Sequence, residues 1–257
     1  MLPIGDDNSD RTRTPFITYL LIAVNILVFV FLQKMGEDTD FTMSYSTVPA
    51  EIVSGRDHVT DSRVEINPID GERYRMPGLG VTAVPVWFTL IISMFMHGGW
   101  AHLGGNLLYL WVFGDNIENR LGHFRYLLFY LVTGIIASLT HVFTTSFLGH
   151  DMLVPSLGAS GAISGVLGAY LMLYPMRRVH VFFIITVVSV PALVALGLWI
   201  VFQIVNGMGA LGSGSELGGV AYSAHIGGFI AGLLLIHFFK PKEETRVVQK
   251  QRRGFFN

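Results

Sequence analysis

The sequence predicts an all-α membrane protein, a bundle of six transmembrane helices with a long first extramembrane loop. Three observations carry that expectation. Of 257 residues, 51% are hydrophobic and 14% charged, against about 25% charged in an ordinary soluble domain. The charge deficit is concentrated in uncharged runs of about 18 residues or more, the length that crosses a hydrocarbon core. Basic residues fall in alternate connections, as an even number of crossings requires.

The elements follow in order. Residues 1–15 read as an N-terminal tail with Arg11 and Arg13. The apolar run 16–33 is longer than the core of a signal peptide, and the following Gln33-Lys34-Met35-Gly36-Glu37 shows no small-x-small cleavage pattern. It therefore reads as a retained first span. Residues 34–85 mix Asp, Glu and Arg with Pro49, Pro68 and Pro77, which predicts a partly irregular outer loop or insertion. The run Val86 to Met96 is too short to span, so 86–101 reads as an interfacial element. Hydropathy then places further spans at 102–117, 124–147, 158–174, 179–206 and 217–239, before a basic C-terminal tail, 240–257. Counting 86–96 as a seventh span would put that basic tail outside.

Orientation follows from the short loops. Arg120 and Arg125 lie in one connection, Arg177 and Arg178 in another, whereas 148–157 and 207–216 contain neither Lys nor Arg. Both termini are thus expected to be cytoplasmic, in a multi-pass protein of the plasma membrane. No Lys/Arg block points to nucleic acid. The absence of cysteine excludes disulfides and thiolate metal sites.

The stretch Gly158-Ala-Ser160-Gly161-Ala-Ile-Ser164-Gly165 opens the fourth predicted span. From Ser160 to the Tyr174-Pro175 end is about 22 Å of helix, less than a core of about 30 Å. Ser160 should then lie below the outer surface, in a cavity open to the outside, since irregular backbone survives there only if buried or wet. On the sixth span, Gly218, Ala221, His225, Gly228 and Gly232 share one face. Gly158, Gly161, Gly228 and Gly232 would let the two helices approach closely, although such spacing alone is most often generic packing. A close approach would let the His225 imidazole take the Ser160 proton as the hydroxyl attacks a carbonyl.

His102 and Asn106 are spaced i, i+4 at the start of the second span, where both can donate to a developing oxyanion, or simply cap the helix. His97, His102 and His225 could be imagined as a zinc site. No His-Glu-x-x-His pattern supplies the general base such a site needs, so no metal and no cofactor is expected. His141 and His237 read as structural, and Asp115, Asn116, Glu118 and Arg120 as a helix-end network.

Gly158-Ala-Ser160-Gly161, Ala224-His225 and His102-x-x-x-Asn106, with His97-Gly-Gly-Trp100 and Phe113-Gly-Asp-Asn-Ile-Glu-Asn-Arg-Leu-Gly122, resemble the rhomboid family of intramembrane serine proteases. The resemblance covers about residues 86–239. It implies Ser160 as nucleophile and His225 as general base without a third acidic residue, with an oxyanion hole from His102, Asn106 and the Ser160 amide. It also implies a laterally protruding loop from Trp87 to Trp100, with His97 a hydrogen-bonding residue in it. The fifth span would be a movable wall, and the substrates transmembrane proteins in a lipid bilayer. Two positions depart from the pattern. Ser164 stands where some members carry an aromatic residue beneath the histidine, and Phe88 follows Trp87 where some carry arginine. A non-catalytic helix binder and a small transporter are the alternatives. The first has no need of both Ser160 and His225. The second would want an internal repeat that is absent.

Overall fold

The structure, a computed structural model, describes residues 2–66, 71, 73–149, 152–213 and 221–241. The start of the sixth predicted span, with Gly218, and most of the basic C-terminal tail lie outside the described residues.

Strand β1 (Leu2–Asp6) precedes helix α1 (Phe16–Leu27), which runs on through a π turn, Val28–Leu32. The polar segment that follows carries two short helices, α2 (Thr39–Tyr45) and α3 (Pro49–Ser54), and a hairpin, β2 (Arg63–Ile66) with β3 (Arg73–Met76). The interfacial element contains α4 (Thr89–Ile92) between short 3-10 turns. Helices α5 (Trp100–Leu121), α6 (His123–Leu148) and α7 (Ser160–Leu173) come next. A second hairpin, β4 (Arg178–Phe183) and β5 (Thr186–Pro191), leads into α8 (Ala192–Ser213) and α9 (Tyr222–Phe239). Among the described residues, α6, α8 over Ala192–Gly209, and α9 are long and apolar enough to cross a membrane; Phe16–Leu32, Val86–Phe95 and Ser160–Leu173 are shorter apolar helices.

The protein is mostly helical but not all-α. The fifth predicted span, 179–206, begins as a hairpin, and the N-terminal tail adds β1 to it in the order β1-β4-β5. Hydropathy misreads this stretch because it averages over residues, whereas the sheet depends on their alternation. Val179 and Val181 point into the core while Arg178, His180 and Phe182 point out, and Thr186, Val187, Val188 and Val190 are β-branched. Period two and branched side chains suit a strand. The helix starts only at Ala192, where the branched run ends.

Helices α6, α7 and α9 pack directly against one another. A Cβ on Gly228 would lie 2.2 Å from the Gly161 carbonyl oxygen, and one on Gly232 would lie 1.9 Å from that of Gly165. Against α6, a Cβ on Gly161 would come within 2.7 Å of Ala137 Cβ, and one on Gly165 within 2.4 Å of Thr133 Cβ. Backbone therefore meets backbone along α7 and α9, which only residues without side chains permit.

At the C-terminal end of α7 the chain's N-terminus is strapped down. Helix α1 begins after Pro15 with no side-chain cap of its own. Glu118, from the last turn of α5, supplies one: it accepts the amides of Ile17 and Thr18 at 2.8 and 2.7 Å and the Thr18 hydroxyl at 2.7 Å. Arg11 pairs with Asp115 at 2.7 Å. Asp6 accepts from the Tyr170 hydroxyl at 2.5 Å and the Asn116 amide at 2.7 Å.

Burial drives the Asp6 carboxyl from 3.8 up to about 7, against the opposing Tyr170 hydrogen bond. A carboxyl raised in the folded state binds its proton more tightly there than in the free chain. Its stabilising effect is thus complete below about pH 4 and is lost as pH rises through about 7. Hydrogen exchange at the β1 amides, corrected for intrinsic rates, should show protection falling across that interval, and Asp6→Asn should flatten the trend.

Candidate active site

The opposite end of α7 brings Ser160 together with His225 and His102. Ser160 is the first residue of α7. It follows Gly158, whose φ of +128° is a conformation that side chains rarely adopt. The Gly158 amide donates to the Ser93 carbonyl at 2.9 Å. Ser93 in turn shares a 2.8 Å hydroxyl contact with Thr47, which pairs through its backbone with Ser156. The loop entering Ser160 is thus held from both the interfacial element and the polar segment before it.

His225 lies in the first turn of α9, half-buried. Its Nε2 is 2.8 Å from Ser160 Oγ and its Nδ1 is 2.8 Å from Oε1 of Gln203 on α8. A carbonyl oxygen can only accept, so Nδ1 carries the proton and the Nε2 lone pair faces the serine hydroxyl. The Trp199 ring, one turn before Gln203, lies 6.0 Å from the imidazole at 36°. Ser164 does not support the histidine. It is 1% exposed and donates back to the Ser160 carbonyl at 2.6 Å. From α8 rather than α7, the Trp199 ring comes beside the imidazole, tilted rather than stacked against it.

His102 and Asn106 occupy the first two turns of α5. A methyl group placed on Gly158 would be 2.8 Å from His102 Nε2 and 3.7 Å from Ser160 Oγ, so the ring edge and the hydroxyl flank one small space. The Gly98 amide donates to His102 Nδ1 at 3.3 Å, which leaves Nε2 as the ring's donor. Asn106 is 7% exposed, and its Nδ2 has no hydrogen-bond partner among the described residues. A buried donor without an acceptor costs about 1–3 kcal/mol, and an oxyanion would remove that cost. His97 is held through its backbone: Gln33 accepts its amide at 2.8 Å and donates to its carbonyl at 2.9 Å, while its ring packs edge-on to His102. His141 pairs with Ser223 at 3.1 Å.

Gln203 was not among the sequence candidates. Its signal was nonetheless present, as an amide in an otherwise apolar run from Ala192 to Val205, where a polar side chain wants a partner.

A family model described as the rhomboid domain matches residues 85–242. Rhomboid protein 1, mitochondrial, of Saccharomyces cerevisiae is 33% identical over 165 residues, covering 64% of this chain and 44% of that protein. Rhomboid protease GluP of Bacillus subtilis is 31% identical over 218 residues, covering 85% of this chain and 34% of that protein. Rhomboid-type serine protease 2 of Emericella nidulans is 31% identical, covering 88% and 49%. The chain thus spans between a third and a half of the length of these relatives. A domain match that takes in more than half of the sequence, and every helix from α4 to α9, shows that the chain belongs to the rhomboid family.

Proposed function

We propose that this rhomboid-family membrane protein is an intramembrane serine endopeptidase that cleaves transmembrane segments of other membrane proteins. The observation that carries the reading is the 2.8 Å approach of His225 Nε2 to Ser160 Oγ. Relatives named as a rhomboid protease and a rhomboid-type serine protease agree with it.

In this reading Ser160 Oγ attacks the scissile carbonyl carbon as His225 Nε2 takes its proton. The carbonyl oxygen becomes an oxyanion in the space flanked by His102 Nε2, the Asn106 amide and the Ser160 backbone N–H. Collapse expels the amine, which receives the proton from His225, and leaves an acyl ester on Ser160. Water, deprotonated by the same nitrogen, then releases the acid and restores the hydroxyl. No step calls for a metal or a cofactor.

The topology belongs to the same proposal. Helices α1 and α5 to α9 form six spans, both termini are cytoplasmic, and the Ser160 end opens outward at a plasma membrane. The stretch around Thr47, which pairs with Ser156 in the loop entering Ser160, belongs to that outer end in this reading.

Covalent labelling by a fluorophosphonate probe tests the proposal: Ser160 should be modified in the intact protein and not after denaturation. Failure of labelling, together with failure to cleave any transmembrane model substrate in liposomes, would overturn it. Asn106→Ala should lower kcat about 10²- to 10³-fold, the effect of one oxyanion donor. KM should change little, because the donor acts on charge present only in the transition state. A rise in KM at constant kcat would instead assign Asn106 to substrate binding.

A further inference from the structure

Resting on the dyad reading above, a further role is carried by α8. Gln203 lies 22 residues before His225 and is 6% exposed, with its side-chain carbonyl 2.8 Å from Nδ1. Burying an amide in an apolar helix face is unfavourable unless it is bonded, and the bond it makes here is to the imidazole. A neutral histidine has two tautomers, and only the one protonated at Nδ1 can accept the Ser160 proton at Nε2. The Gln203 carbonyl selects that tautomer. It also stays bonded when the ring becomes imidazolium, so it works throughout the proton transfer. Trp199, four residues earlier on α8, lies 6.0 Å from the ring, tilted at 36° to it. No carboxylate performs this task among the described residues. The ionisable groups that act on His225 are His102 on α5 and His141 on α6, with Tyr222 edge-on to its ring.

We propose that Gln203 is a positioning residue for the Ser160–His225 dyad, holding His225 in the Nδ1–H tautomer with Nε2 on the serine. The histidine's support is thereby moved from α7, where Ser164 is bonded elsewhere, to α8.

The test compares Gln203→Met, which keeps length and removes the acceptor, with Gln203→Glu, which keeps an acceptor and adds charge. Fluorophosphonate labelling rates of Ser160 are measured from about pH 5 to 9, beside kcat and KM on a transmembrane substrate. Gln203→Met should label and turn over about 10- to 100-fold more slowly, part of the usual 10²–10⁴ for general base catalysis, with KM within about twofold. Gln203→Glu should regain most of the rate and move the acid limb of the profile to higher pH, because a carboxylate favours the imidazolium. Wild-type labelling by Gln203→Met would overturn the role of Gln203 alone. Should that variant fail to fold, a Gln203→Glu profile superposable on wild type would overturn it equally. Absence of labelling in the unmodified protein would overturn the dyad itself.

Discussion

Ser160→Ala is expected to reduce cleavage of a transmembrane substrate by at least about 10⁴-fold, the scale of loss when a serine nucleophile is removed. The next hydroxyl on α7, Ser164, cannot substitute, because it is buried and bonded to the Ser160 carbonyl at 2.6 Å. The fold should survive. Ser160 caps nothing with its side chain, so the substitution removes one part-buried hydrogen bond, that to His225. The change in thermal midpoint should correspond to less than about 1 kcal/mol. Purified Ser160→Ala protein cleaving at the normal rate would sink the assignment of the nucleophile. His225→Ala should produce the same loss of rate.

Gly228→Val is expected to abolish activity by a different route and to destabilise the protein as well. Its Cβ would sit 2.2 Å from the Gly161 carbonyl oxygen, and the clash is with backbone, which cannot swing aside as a long side chain can. Relief requires α9 to move away from α7 by more than an ångström at least, and Ser160 and His225 are one residue and three residues from the point of contact. The 2.8 Å dyad bond would then be broken. Overpacking of this kind costs about 1–3 kcal/mol. Gly232→Ala, facing the Gly165 oxygen at 1.9 Å, should behave similarly but further from the dyad. Gly197→Ala on α8, where nothing lies within 4 Å, is the control and should be neutral or slightly stabilising. Thermal unfolding and fluorophosphonate labelling, measured together, check the pair. Equal behaviour of Gly228→Val and Gly197→Ala would remove the close-approach argument.

Residue type and spacing made Ser160, His225, His102 and Asn106 stand out, because polar and ionisable groups in apolar runs need partners. Helix α6 was readable within a residue at each end and α9 at its C-terminal end, since long uninterrupted apolar runs have one stable answer in lipid. The hairpin β4–β5 was not. Its valines are as apolar as helix residues, and only their alternation and the pairing of β1 from the other end of the chain distinguish it. The cap on α1 also escaped notice, because Glu118 lies about 100 residues from the amides it accepts.

Composition and motif alone were sufficient for the membrane class and for choosing the side chains proposed to carry acyl-transfer chemistry. These depend on what a residue is, and a serine, a histidine or an apolar run is the same in any fold. The partner on the far side of the imidazole was decided only by the tertiary structure. Ser164 looked like a missing support because the expected support was local to α7. The fold instead brings Trp199 and Gln203 of α8 to His225, and hydrogen-bond geometry between separate helices has no period in the sequence by which to be read.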